Sequence, residues 1–201
     1  MAAPHRRVRT QPPRKELLVL VEGAVTEEAY LLFWKRQYRQ LTLVDVHEFR
    51  GTPMSLVEKA VELKAAEERE ARRGRGRAHD EIWCVFDVDA HLYLHEAIAL
   101  AAAEGINVAI SNPCIELWFL LHFVDQRAYI DRHAAQKAAK AALGCDKQLT
   151  SSALERMADN FETAKARARN LDDKHFKDDT PAPGNPSSGA WRLIDSIADR
   201  D

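Results

Sequence analysis

At 201 residues, 46% hydrophobic and 30% charged, the chain holds enough apolar material for one full core plus an appendage. A net charge of -2 and a pI near 6.5 exclude nucleic-acid binding by bulk charge, so any such contact must come from local basic patches or from a metal ion. No unbroken apolar segment is long enough to span a bilayer, which argues against a membrane protein, and the basic N-terminus lacks the apolar stretch of a signal peptide. The widely separated Cys84, Cys114 and Cys145 have no metal-ligand spacing and read as reduced thiols of a cytoplasmic protein.

Residues 1–15 form a leader rich in Pro and Arg, expected to be flexible. Leu17-Leu18-Val19-Leu20-Val21 is a continuous apolar run of the kind buried on both faces of a sheet, and it ends in Glu22-Gly23-Ala24-Val25-Thr26-Glu27-Glu28. Gly23 permits a tight turn, Thr26 is placed to cap a helix over 27–40, and Glu27 and Glu28 suit its first turn. None of this accounts for Glu22, an acid at the end of a buried strand. A strand over 43–49 and a helix over 53–72 follow. The strand over 82–86 then runs into Asp87-Val88-Asp89, where two aspartates one residue apart could hold a divalent cation through hard carboxylate oxygens. Read alone, this pair is equally a solvated turn with Asp89 as the cap of the next helix, over 92–104.

With a strand over 106–110, the alternation predicts an α/β fold: a Rossmann-like, mainly parallel sheet flanked by helices. Ligands of such sheets collect at the carboxyl ends of the strands, where Glu22 and the aspartate pair both fall. Beyond residue 112 only helices are expected. The first is a strongly apolar helix over 112–123, with Asn112 as cap and Pro113 in its first turn, followed by helices over 127–143, 151–172 and 190–198. The expected organisation is a leader over 1–15, an α/β core over 16–125 and an all-helical extension over 126–201 packed on that core.

The basic run Arg69-Glu-Ala-Arg72-Arg73-Gly74-Arg75-Gly76-Arg77 reads in two ways. Arg72, Arg73, Arg75 and Arg77 could track nucleic-acid phosphates on a mobile loop, or could be a solvated helix end. His91 and His95, four residues apart, suit zinc only if both face one way, and the third ligand and glutamate of a zinc hydrolase pattern are missing. His91 could instead reach a phosphate. Asp87-Val88-Asp89-Ala90 is similar to the haloacid dehalogenase nucleophile motif, but that motif closes with Thr or Val and lies near the first strand. The chain has no P-loop.

The glutamate of Val21-Glu22-Gly23-x-x-Thr26-Glu27 and the aspartates of Phe86-Asp87-Val88-Asp89 together resemble a Toprim domain. More narrowly, the first of these motifs, Asn112-Pro113-Cys114-x-Glu116-Leu117-Trp118-x-Leu120-Leu121-His122-Phe123 and the later Asn185-Pro186-Ser187-Ser188 resemble the RloB-like family. The likeness runs from about residue 15 to the end. It implies Mg²⁺- or Mn²⁺-dependent phosphoryl chemistry on DNA or RNA, in restriction-linked or phage-defence settings, often beside a separately encoded ATPase. On that reading Glu22, Asp87 and Asp89 are the catalytic acids and hold the metal, with Glu27 and Glu116 as further candidate ligands. Topoisomerase and primase activities need additional domains for which this chain has no room. The remaining alternative is a non-catalytic subunit that binds nucleic acid or a partner and regulates an associated ATPase.

Overall fold

The structure, a computed structural model, describes residues 14–22, 25–88, 93–146 and 148–199. The alternation expected from the sequence is present: β1 (Lys15–Val21), α1 (Thr26–Gln37), β2 (Thr42–Glu48), α2 (Pro53–Arg72), β3 (Glu81–Asp87), α3 (Leu94–Ala103) and β4 (Asn107–Asn112). Then come α4 (Ile115–Leu121), α5 (Arg132–Leu143), α6 (Ser151–Asp159), α7 (Phe161–Lys177), β5 (Ser187–Ser188) and α8 (Ala190–Ile197). The five strands form one sheet in the order β2-β1-β3-β4-β5, with every pairing parallel except β4 with β5.

β1 lies between β2 and β3 and is buried on both faces, which is why its sequence is apolar without alternation. Leu17, Val19 and Val21 point into one hydrophobic cluster and Leu18 and Leu20 into the other, as the two-residue period of a strand requires. The first cluster packs the sheet against α1 and the C-terminal helices, through Tyr30, Trp34, Trp118, Phe161 and Leu193. The second packs the opposite face against α2 and α3, through Leu56, Ala60 and Ala97. The chain leaves β1 toward β2 through α1, and leaves β3 toward β4 through α3. These two departures run in opposite directions from neighbouring strands. A crevice therefore opens at the carboxyl ends of β1 and β3, the topological switch point at which open α/β sheets receive ligands.

Several expected boundaries move for identifiable reasons. Thr26 is not the cap of α1; Val25 holds that position and Thr26 is the first helical residue, buried. Asn112 does not cap the apolar helix either. It closes β4, its side chain is used elsewhere, and extended Cys114 precedes the first helical residue, Ile115. The helix expected from residue 127 begins at Arg132, because the Asp131 carboxylate accepts the Ala134 N–H at 2.9 Å as an N-cap. The single helix expected over 151–172 is two helices meeting at Asn160, whose side-chain amide donates to the Arg156 carbonyl at 2.8 Å. The second of them continues to Lys177. The C-terminal part is helical apart from β5, whose two residues, Ser187 and Ser188, extend the sheet beyond β4.

α4 is buried along nearly its whole length, as its composition demands, and the histidine at its C-cap carries a pH signature. His122 is 1% exposed, and its Nδ1–H donates to the Trp118 carbonyl at 2.9 Å. Its Nε2 has no hydrogen-bond partner among the described residues, so the neutral ring is the stable form. Burial pushes its pKa down to about 4 from an ordinary 6.5, the backbone contacts to Trp118 and Phe119 opposing only in part. Because the unfolded chain then binds a proton that the folded chain refuses, His122 costs no stability above pH 6.5 and a growing amount as the pH falls toward 4. Denaturation of the wild type is expected to lose up to about 1.4 kcal/mol per pH unit in that window through this residue. Urea unfolding at pH 7 and pH 5 checks it: His122→Asn should flatten the slope, and an unchanged slope would show that His122 is not its source.

Candidate active site

β1 and β3 place two acidic residues at the switch-point edge of the sheet. Glu22 directly follows β1 and is tied to β3 by its own N–H, which donates to the Val85 carbonyl at 3.2 Å. Asp87 is the last residue of β3, opposite Ser111 in the ladder with β4. The next residue, Val88, is still anchored by its N–H to the Ser111 carbonyl at 2.9 Å. Asp87 is thus held at the end of rigid backbone, and its side chain is only 12% exposed. Asp89 and His91 lie outside the described residues.

The other candidate acids come from helices that begin over the same edge. Glu116, in the first turn of α4, shares a small cleft with Thr26 at the start of α1 and with Gln136 and Lys140 of α5. Burial first, and then the negative charges of Glu116 and Asp87, push the Cys114 thiol up from its ordinary pKa. Glu27 borders a narrow, mainly apolar gap with Tyr30, Val85, Ile115 and Leu193, on the side of the crevice toward α8. Among the described residues no three His, Cys, Asp or Glu side chains are gathered into a metal-ligand cluster. Two carboxylates nevertheless suit Mg²⁺ or Mn²⁺, hard ions that are commonly held by one or two carboxylates, with water and substrate phosphate completing the shell.

The basic run is placed elsewhere. It spans the end of α2 and the turn before β3 begins, at the amino edge of the sheet, and a strand of seven residues puts it roughly 20 Å from Asp87. Arg73 pairs with Glu70 at 2.8 Å and Arg77 with Asp80 at 2.8 Å, while Arg72 and Arg75 approach Glu68 and Glu70 at 3.8 Å. The interleaved glycines serve the turn: Gly74 and Gly76 have φ of 71° and 87°, where an L side chain is strained. These arginines do not join the acidic edge. Nor do Lys59, paired with Glu62, and Lys64, which donates to the Glu104 carbonyl beyond the end of α3.

One cation at this edge, among the described residues, has no counterpart in the motifs of the sequence. Arg132, the first residue of α5, reaches the Asp87 carboxylate with an Nη2 to Oδ2 distance of 3.3 Å. Its approach is fixed by two asparagines 73 residues apart in sequence. Asn185 donates from Nδ2 to Asn112 Oδ1 at 3.1 Å and to the Ile130 carbonyl at 3.0 Å, and its Oδ1 accepts the Ile130 N–H at 3.1 Å. Asn112 in turn donates to the Pro183 carbonyl at 2.8 Å, and beside it the Ser111 and Ser188 hydroxyls meet at 2.9 Å. The one signal that could have found this in the sequence is the recurrence of Asn-Pro at 112–113 and 185–186.

A family model, that of RloB-like proteins, matches residues 17–197. The chain belongs to the RloB-like family. The match begins in β1 and ends with α8, so in this RloB-like chain it covers both the strand ends that carry the acids and the helices that supply Arg132. No curated protein and no solved structure matches the chain.

Proposed function

We propose that this RloB-like chain is a metal-dependent nuclease of Toprim type, hydrolysing phosphodiester bonds in DNA or RNA. The observation that carries the reading is the delivery of Glu22 and Asp87 to neighbouring strand ends at the switch point of a parallel sheet. Carboxylates gathered at one edge of a sheet repel one another, and a bound cation would relieve that cost. Asp87 and Glu22 would hold Mg²⁺ or Mn²⁺, with Asp89, Glu27 and Glu116 the candidates to complete or extend the ligand set. The ion supplies Lewis acidity toward the scissile phosphate and charge stabilisation on the leaving oxygen. Asp87, held in the ladder opposite Ser111, would fix the position of that ion. Glu22 either joins the ligand set or takes the proton of the attacking water. A bacterial phage-defence or restriction setting and a neighbouring ATPase partner come with the family resemblance and belong to the same proposal.

A second reading has its own observation. The Arg132 contact already offsets the charge of Asp87, as expected of a non-catalytic Toprim-like subunit whose acidic edge is structural and which regulates an associated ATPase. Incubation of the purified protein with mixed DNA and RNA substrates, total tRNA included, in Mg²⁺ or Mn²⁺ separates the two. Metal-dependent cutting that is lost in an Asp87→Ala/Asp89→Ala variant is the expected result and identifies the substrate class. No products from either favour the regulatory subunit, and equal products from both would remove these aspartates from the chemistry.

A further inference from the structure

We infer that Arg132 is the substrate-phosphate contact of this site, and that the paired motifs Asn112-Pro113 and Asn185-Pro186 exist to aim it. The inference rests on the nuclease reading and adds a cation to what was a set of acids. Hydrolysis of a phosphodiester builds negative charge on the equatorial oxygens, and a site composed of carboxylates alone repels both substrate and transition state. Arg132 supplies the missing positive charge at Asp87, the described acid that ends β3. Its side chain stays 40% exposed while that of Asp87 is 12% exposed, so of the two partners the arginine is the more open to an incoming phosphate. A planar guanidinium presents five N–H donors in a fork that matches a carboxylate and a phosphate.

Arg132 is the first residue of α5, directly after the Asp131 cap, where a cation opposes the helix dipole. The neighbouring asparagines hold this segment in place. Their four hydrogen bonds tie together the end of β4, the segment before β5 and the backbone of Ile130, two residues before Arg132. The entry of α5 is thereby clamped to the strand next to β3. Asn185 is therefore a positioning residue acting through Arg132.

The test uses the full chain, a short labelled single-stranded oligonucleotide in DNA and RNA forms, and the variants Arg132→Ala, Arg132→Lys, Asn185→Ala and the Arg132→Ala/Asn185→Ala double. Mn²⁺-dependent cleavage gives kcat and KM, and binding of the same oligonucleotide is measured in Ca²⁺. Mn²⁺ affinity and melting temperature report the metal site and the fold. Arg132→Ala is expected to lower kcat about 100-fold, the usual cost of removing one oriented donor to a developing oxyanion. Its Mn²⁺ affinity should stay within a few-fold of wild type. Arg132→Lys, which keeps the charge but not the fork, should recover part of the rate. Asn185→Ala should cost about tenfold alone and little in the Arg132→Ala background, since groups acting through one another are not additive. If Arg132→Ala cuts at the wild-type rate while Asp87→Ala does not, the inference is overturned and the nuclease stands. If the wild type does not cut but binds the oligonucleotide in an Arg132-dependent way, the nuclease reading fails and the phosphate contact stands. If it neither cuts nor binds, both fall.

Discussion

Asp87→Asn is expected to reduce metal-dependent cleavage at least about 1000-fold, equivalent to some 4 kcal/mol of transition-state stabilisation. The substitution preserves shape and leaves the ladder between Asp87 and Ser111 and the Val88 anchor intact, so its effect is confined to charge. A neutral amide is a poor ligand for a hard divalent ion, and with the carboxylate gone Arg132 loses the counter-charge it meets at 3.3 Å. The melting temperature should change by only a few degrees, because a partly exposed ion pair contributes little to folding. Glu22→Gln, one strand away, should also be impaired, by about 100-fold. Single-turnover cleavage in Mn²⁺ checks both. A rate within tenfold of wild type for Asp87→Asn would remove this residue from the chemistry.

The second large effect is on the fold. Trp118 is 0% exposed and joins three elements: its Nε1–H donates to the Tyr30 hydroxyl of α1 at 2.8 Å, and its ring meets His122 of its own helix region and Phe161 of α7 edge-on. Trp118→Ala empties a large volume at the junction and should cost about 3–5 kcal/mol. Against a typical total of about 5–15 kcal/mol, that leaves little stability. Tyr30→Phe is subtler. It keeps the aromatic packing on Phe119 but strands the buried indole N–H, at a cost of about 1–3 kcal/mol. Equilibrium urea unfolding of the two variants and the wild type gives both numbers, and a loss below about 1 kcal/mol for Trp118→Ala would show that α4 is not the hub of the core.

How much of this was legible in the sequence depended on how local each cause is. β1 announced itself through five consecutive apolar residues, and Glu22 stood out against that background because an acid ending a buried strand needs a reason. α2 was bounded as expected from Pro53 to Arg72, since the Thr52 cap and the proline at its start are sequence-adjacent signals. Asn112 misled for the same reason in reverse. Asn before Pro reads as a cap and a first turn, but its side chain was committed to Pro183 and Asn185, contacts that no local pattern reveals. Arg132 was invisible because its significance lies in a neighbour 45 residues away. The arginine run was conspicuous in composition, yet the direction of α2 carries it to the far edge of the sheet.

On this reading the sheet edge at the ends of β1 and β3 holds a divalent cation on Asp87 and Glu22. Mn²⁺ binding followed by electron paramagnetic resonance, for the wild type beside Asp87→Ala and Glu22→Ala, tests it without needing to know the substrate. Saturable binding by the wild type that is lost or strongly weakened in both variants is the expected result. No saturable binding by the wild type, or binding unaffected by either substitution, would contradict it.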